Sequence, residues 1–144
     1  MEQRPGWQEA ETAHPPAQGD DDFERPLYRA LTQVGVDEKP ARVVAHLVQH
    51  GSARSTELED ACDMRQPEVS QTTIDLRDRG WVVATREKRG GKGRPVNHYH
   101  LRLALKEIVH EVEAHERERI NQALARLEHL RELAERIDHT PDPP

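Results

Sequence analysis

The sequence predicts a mainly α-helical fold with one small β-hairpin and a long C-terminal helix. Three observations carry that expectation. Apolar residues between Phe23 and Arg79 recur at helical spacing, punctuated by Gly35, Gly51 and Gly80. Two short runs, Trp81–Thr85 and Val96–Leu101, read as strands on either side of a polar, glycine-rich loop. From Arg102 to Asp138 there is neither proline nor glycine, and Ala, Leu, Glu and Arg dominate.

Taken in order, residues 1–22 are rich in Pro, Gly, Gln and acids and end in Asp20-Asp21-Asp22 without periodicity, the composition of a disordered tail. Leu27, Tyr28, Leu31 and Val34 then mark a first helix that stops at Gly35. Asp37 is placed to cap a second helix, with Pro40 in its first turn and Val43, Val44, Leu47 and Val48 as its apolar stripe, ending at Gly51. A short third helix starts at Ser55 or Thr56, where Thr56 and Glu59 have capping-box spacing; Leu58, Ala61 and Cys62 form its inner face. After the turn Asp63–Gln66, Pro67 opens a fourth helix that runs to about Arg79. The hairpin follows, and then the long helix, expected over 102–138 with a kink or repacking near its middle. Residues 139–144 form a second tail.

This order of helix, helix, helix, turn, helix and hairpin is that of a winged helix-turn-helix, expected over residues 23–101. The helix after the turn fits the DNA major groove, where each base pair presents a distinct donor and acceptor pattern. In that helix Val69, Thr72, Thr73 and Leu76 share one face and point to the core. Gln66, Glu68, Ser70 and Gln71 near its start are placed for base edges: glutamine pairs bidentately with adenine, and glutamate accepts from cytosine N4. Arg65, Arg77 and Arg79 read as phosphate contacts that set register. The plain alternative is a solvated helical face.

The hairpin loop supplies Arg86, Lys88, Arg89, Lys92 and Arg94. Its glycines, Gly90, Gly91 and Gly93, let backbone approach a groove closely, and arginines suit a narrow minor groove. A nucleotide-phosphate loop would need a Walker pattern opening a helix, and this loop joins two strands.

The chain's formal charge of −6 runs against a nucleic-acid partner until its distribution is read. Residues 1–25 hold seven acids and two bases, and residues 103–144 hold ten acids and six bases. Between Arg86 and Arg102 there are six bases and one acid, a local footprint for a polyanion. The basic residues are mostly arginine. Such Lys-poor, acidic composition resembles proteins of salt-loving archaea, and GC-rich codon usage gives the same bias.

The segment Ala30–Leu101 resembles archaeal and bacterial winged-helix regulators of the MarR/TrmB/ArsR type, with LRDRGWV and GRPVNHYHL as its most specific stretches. The resemblance implies structural roles for Val69, Leu76, Gly80 and Val82, a groove-facing Gln66–Gln71, and Arg94 in the wing. The chain departs from TrmB in lacking a C-terminal sugar-binding domain, and from metal-sensing ArsR proteins in lacking clustered cysteines. No cofactor is expected.

In the C-terminal helix Ile120, Ala123, Leu127, Leu130, Ala134 and Ile137 repeat at alternating spacings of three and four. That is the a/d seam of a coiled coil, widened by Leu124 and Leu133 toward a bundle. An earlier cluster, Leu103, Leu105, Ile108, Val109 and Val112, is separated from it by the polar Glu113–Arg119. The seam predicts a homodimer, parallel or antiparallel, against the alternative of a helix folded back on its own domain. Only 34% hydrophobic residues and a single Phe fit a small core supplemented by a subunit interface.

The remaining features bound the function. No apolar run approaches the roughly 18–20 residues that span a bilayer. Met1–Asp22 has no apolar signal-peptide core, and the single cysteine fits a reducing cytoplasm. His46 and His50, and Glu111 and His115, sit four apart, while His98 and His100 share a strand face. No group in the sequence offers three or four metal ligands at suitable spacing. Cys62 reads as a buried thiol beside the recognition helix, with a redox switch as the other option. No nucleophile–base arrangement is present, so an enzyme is not expected. The expected function is sequence-specific binding of double-stranded DNA by a homodimeric regulator. The second reading is a winged helix used to dock on transcription machinery.

Overall fold

The computed structural model describes residues 22–87, 96–139 and 141. Helix α1 spans Glu24–Gln33, α2 Glu38–His50, α3 Ser55–Ala61, α4 Gln66–Asp78 and α5 Leu105–Asp138. Three strands complete the fold: β1 Ser52–Arg54, β2 Val82–Glu87 and β3 Val96–Leu101, in the order β1-β3-β2.

Helix α2 forms the centre. Pro40, Ala41, Val43, Val44, Ala45, His46, Leu47 and Val48 are all buried, so most of its circumference is inside. Around it close Leu31 of α1, Leu58 of α3, Val69 and Leu76 of α4, Val82 of β2, Tyr99 and Leu101 of β3, and Ile108 of α5. The glycines predicted to stop helices do so with left-handed backbone. Gly51 has φ 85° after α2 and Gly80 has φ 78° after α4, a region that side-chain-bearing residues avoid.

Several sequence expectations are corrected. The sheet has three strands, not two: Ser52–Arg54 pairs antiparallel with His98–His100. Three residues carry no readable alternation, and only the tertiary contact with β3 makes them a strand. Tyr99 lies opposite Ala53 on one side and Ala84 on the other, so one large side chain fills the space two small ones leave. Helix α3 is not capped by Thr56 and Glu59. Its Glu57 carboxylate instead accepts from the Arg54 backbone N–H at 3.1 Å, because the helix begins at Ser55 and Arg54 is its cap. The same half of a capping box recurs where Glu68 accepts from Arg65 N–H and Glu107 from Ala104 N–H. Ala61 is exposed, because α3 ends at it and the chain turns there; Leu58 and Cys62 are the buried pair.

The C-terminal helix starts at Leu105 rather than Arg102. Arg102 is held outside it, its N–H donating to the Trp81 carbonyl at 2.8 Å. The helix then runs as one element of 34 residues, the single long helix that the composition predicted. Its first turns pack on the core through Leu105, the fully buried Ile108 and Val112. The Trp81 indole N–H donates to the Glu111 carboxylate at 2.5 Å, fastening the helix to the base of the hairpin. No helix among the described residues is long and apolar enough to cross a membrane.

Candidate nucleic-acid interface

Helix α4 is set by sequence chemistry at both ends. Pro67 occupies its first turn, and Glu68 closes back on the Arg65 N–H at 3.1 Å. Val69, Thr72, Thr73 and Leu76 are buried, as the spacing predicted. The Thr73 hydroxyl donates to the Val69 carbonyl at 2.8 Å, so its polar group is satisfied inside the helix. The turn from α3 passes through Asp63 with φ 52°, a left-handed conformation that aspartate tolerates better than most residues.

The opposite face carries the residues expected to read DNA. Arg65, Gln66, Gln71 and Arg77 are exposed, and Ser70 is half-buried. Two of the candidates are already engaged. The Gln71 amide donates to Asp75 at 3.0 Å. Glu68 pairs with Lys39 at 2.5 Å, and with the Arg65 N–H this fixes both carboxylate oxygens. The Lys39 contact first, and then that backbone N–H, hold the Glu68 carboxyl below its usual range. Glu68 therefore locks α4 to the start of α2, a role that spacing alone did not reveal.

The sheet edge lies beside this face. Ile74, Arg77 and Asp78 of α4 line a groove with Val82, Val83 and Ala84 of β2. Strands β2 and β3 pair from Val82 with Leu101 out to Glu87 with Val96, so residues 88–95 connect their tips. Arg86 is exposed, opposite Asn97. Lys88, Arg89, Lys92 and Arg94, with Gly90, Gly91 and Gly93, lie outside the described residues. At the base of the hairpin the Arg79 guanidinium sits 5.1 Å from the Trp81 ring centroid.

Residues 38–104 match the family described as a winged helix-turn-helix domain. The chain carries a winged helix-turn-helix. In that scheme α3 and α4 are the helix-turn-helix and β2–β3 the wing. Among solved structures, the winged-helix chain is similar to TrmBL2, an archaeal chromatin protein, with 17% identity and a TM-score of 0.50 over 83% of its length. The chain spans 44% of the length of TrmBL2. It is also similar to the transcriptional regulator PA4135, with 24% identity, a TM-score of 0.43, and coverage of 82% of this chain and 90% of that one. A third likeness is to NadR, solved in complex with 4-hydroxyphenylacetate, with 17% identity and a TM-score of 0.39 over 88% of this chain and all of that one. No curated protein matches by sequence.

Beyond the winged helix, α5 presents a second surface. Ile120, Leu124, Leu127, Leu130 and Ile137 are 47–70% exposed. Ala123 and Ala134 of the predicted seam are exposed as well, and Leu133 is half-buried. The distal part of the helix thus does not fold back on its own domain.

Sequence reasoning also missed one cluster. Glu24 of α1 meets His46 and His50 of α2, and one ligand atom from each lies within 4.8 Å of the other two. The expectation that no group offers three metal-ligating side chains is corrected here. The histidines are one turn apart, but their carboxylate partner is 22 residues away in sequence, and only the docking of α1 on α2 brings it in. Cys62 is buried, and burial first, then the Glu24 charge, pushes its thiol up to about 11. Arg42 reaches its carbonyl at 3.0 Å while stacking on Tyr28.

Proposed function

We propose that this chain is a non-enzymatic, sequence-specific regulator that binds double-stranded DNA as a homodimer. Helix 66–79 lies in the major groove, and the wing 86–95 lies on the minor groove or the adjacent backbone. The carrying observation is the split of α4: four residues buried, and Arg65, Gln66, Gln71 and Arg77 turned to solvent beside the strand that leads into the basic loop. Gln66 and Gln71 read base edges, Arg65 and Arg77 contact phosphates, and Ser70 offers a hydroxyl between them. Glu68 acts by holding the helix in place. Releasing its carboxylate to a cytosine would cost the Lys39 and Arg65 contacts.

Exposed seam residues of α5 support the dimer. Summed by their exposed fractions, Ile120, Leu124, Leu127, Leu130 and Ile137 leave the equivalent of about three whole side chains in water. At about 1.5–3 kcal/mol each, that is an unfavourable surface for an isolated chain and a sufficient one for a second copy. From Arg117 to Asp138 the helix projects about 33 Å. Two reading heads joined this way fit a palindromic site with half-sites about one DNA turn apart.

A selection of duplexes from a randomised pool, followed by fluorescence titration of the enriched sequence, tests the proposal. Binding should weaken with salt, and Arg89→Ala and Arg94→Ala should each lower the logarithmic salt slope by about 1. Gln71→Ala should relax base preference at one position with little change in slope. If no duplex is enriched, DNA reading is refuted, and docking on a protein partner takes its place.

A further inference from the structure

We propose that Glu24, His46 and His50 form a binding site for a divalent transition cation of the zinc class. The three residues belong to two helices. His46 and His50 stand one turn apart on α2, with ring centroids 4.3 Å apart. Glu24, in the first turn of α1, places one carboxylate oxygen 2.8 Å from His46 Nδ1 and the other 3.4 Å from His50 Nε2. Zinc–nitrogen and zinc–oxygen bonds of about 2.0–2.1 Å in a tetrahedron require donor atoms about 3.3 Å apart. The two carboxylate–imidazole distances bracket that separation and the three ligand atoms lie within 4.8 Å of one another, so side-chain rotation is what a cation needs to draw the donors together.

The donor chemistry selects the class of ion. Two imidazoles and a carboxylate suit zinc and its first-row neighbours, whereas calcium and magnesium take oxygen ligands. Three protein ligands leave a fourth position for water. His46 is buried and Glu24 and then His50 are progressively reachable from solvent, which gives the ion a path in and holds one ligand rigidly. The surroundings also hold the start of α1 in place. Asp22 accepts from the Glu24 backbone N–H at 3.1 Å, and the Phe23 N–H donates to the Gln49 side chain at 2.8 Å, tying the start of α1 to the last turn of α2.

The site lies at the far end of α2 from Lys39, which locks the recognition helix through Glu68. His50 lies eleven positions beyond Lys39, about 16 Å along the helix. A bound cation would therefore fasten α1 to α2 without touching the surface proposed to meet DNA.

Tag-free, chelator-treated full-length protein titrated with Zn²⁺ against a chromophoric chelator tests the site, with Co²⁺ absorption reporting coordination. The expected result is one saturable Zn²⁺ per chain, a higher apparent Tm with Zn²⁺ but not Mg²⁺, and a four-coordinate cobalt spectrum. Glu24→Gln, His46→Gln and His50→Gln should each weaken binding by roughly tenfold or more. His50 is exposed, so its variant keeps the fold even if the His46 variant does not, and His129→Gln on α5 should bind as the parent does. No saturable binding in the micromolar range, or one-per-chain binding that survives His50→Gln, would overturn the proposal. The second outcome would assign the ion to others of the nine histidines.

Discussion

Replacing Leu130 by alanine tests the pairing of C-terminal helices at a single position. Leu130 is 62% exposed in the single chain, so most of its side chain is free for a partner to cover. The substitution removes three carbon groups, each worth about 0.8 kcal/mol when fully buried. Scaled by that exposure the loss is about 1.5 kcal/mol per subunit, and about 3 kcal/mol for the two related positions of a symmetric dimer. Dimerisation should weaken roughly 150-fold. Sedimentation velocity on the full chain over a concentration series measures this directly. The melting of the winged helix should not change once dimer dissociation is accounted for, because Leu130 lies outside the core cluster. A parent protein that stays monomeric throughout the micromolar range, or a dissociation constant untouched by Leu130→Ala, would refute the reasoning.

Three further outcomes are expected. Leu76 is fully buried between α4 and the rest of the core, so Leu76→Ala should cost about 3 kcal/mol in a denaturant titration. His100 is buried in the central strand, and burial first, then the neighbouring His98, hold its imidazole below the usual range. The unfolded chain therefore takes up a proton at a higher pH than the folded one: stability is full above the unfolded value of 6.5 and falls as pH drops through the lower folded value. Thermal melts between neutral and mildly acid pH should show this loss, and His100→Gln should flatten it. With its thiol at about 11, Cys62 is about one part in ten thousand thiolate at neutral pH. It should resist alkylation in the folded protein and react only on denaturation, and rapid labelling of the native chain would contradict this.

Sequence periodicity by itself determined the helices and which of their faces look inward. Val69, Thr72, Thr73 and Leu76 are buried as their spacing required, because a helix places offsets of three and four on one side whatever it packs against. Gly51 and Gly80 end their helices for an equally local reason: left-handed backbone suits a residue without Cβ. Helix α5 was legible from its composition, and its exposed seam from the heptad spacing. Its length as one helix was legible as well, because the polar stretch Glu113–Arg119 interrupts the apolar seam but contains no helix breaker. Tertiary structure alone decided what depends on distant partners. Ser52–Arg54 became a strand because β3 lies beside it. Glu68 meets Lys39 as well as the Arg65 N–H because α2 begins within reach of α4. Glu24 joined His46 and His50 because α1 docks across α2, a contact between residues 22 positions apart that no local pattern encodes. A repeat is readable within one element, whereas a contact between elements exists only once packing has set their distance and angle.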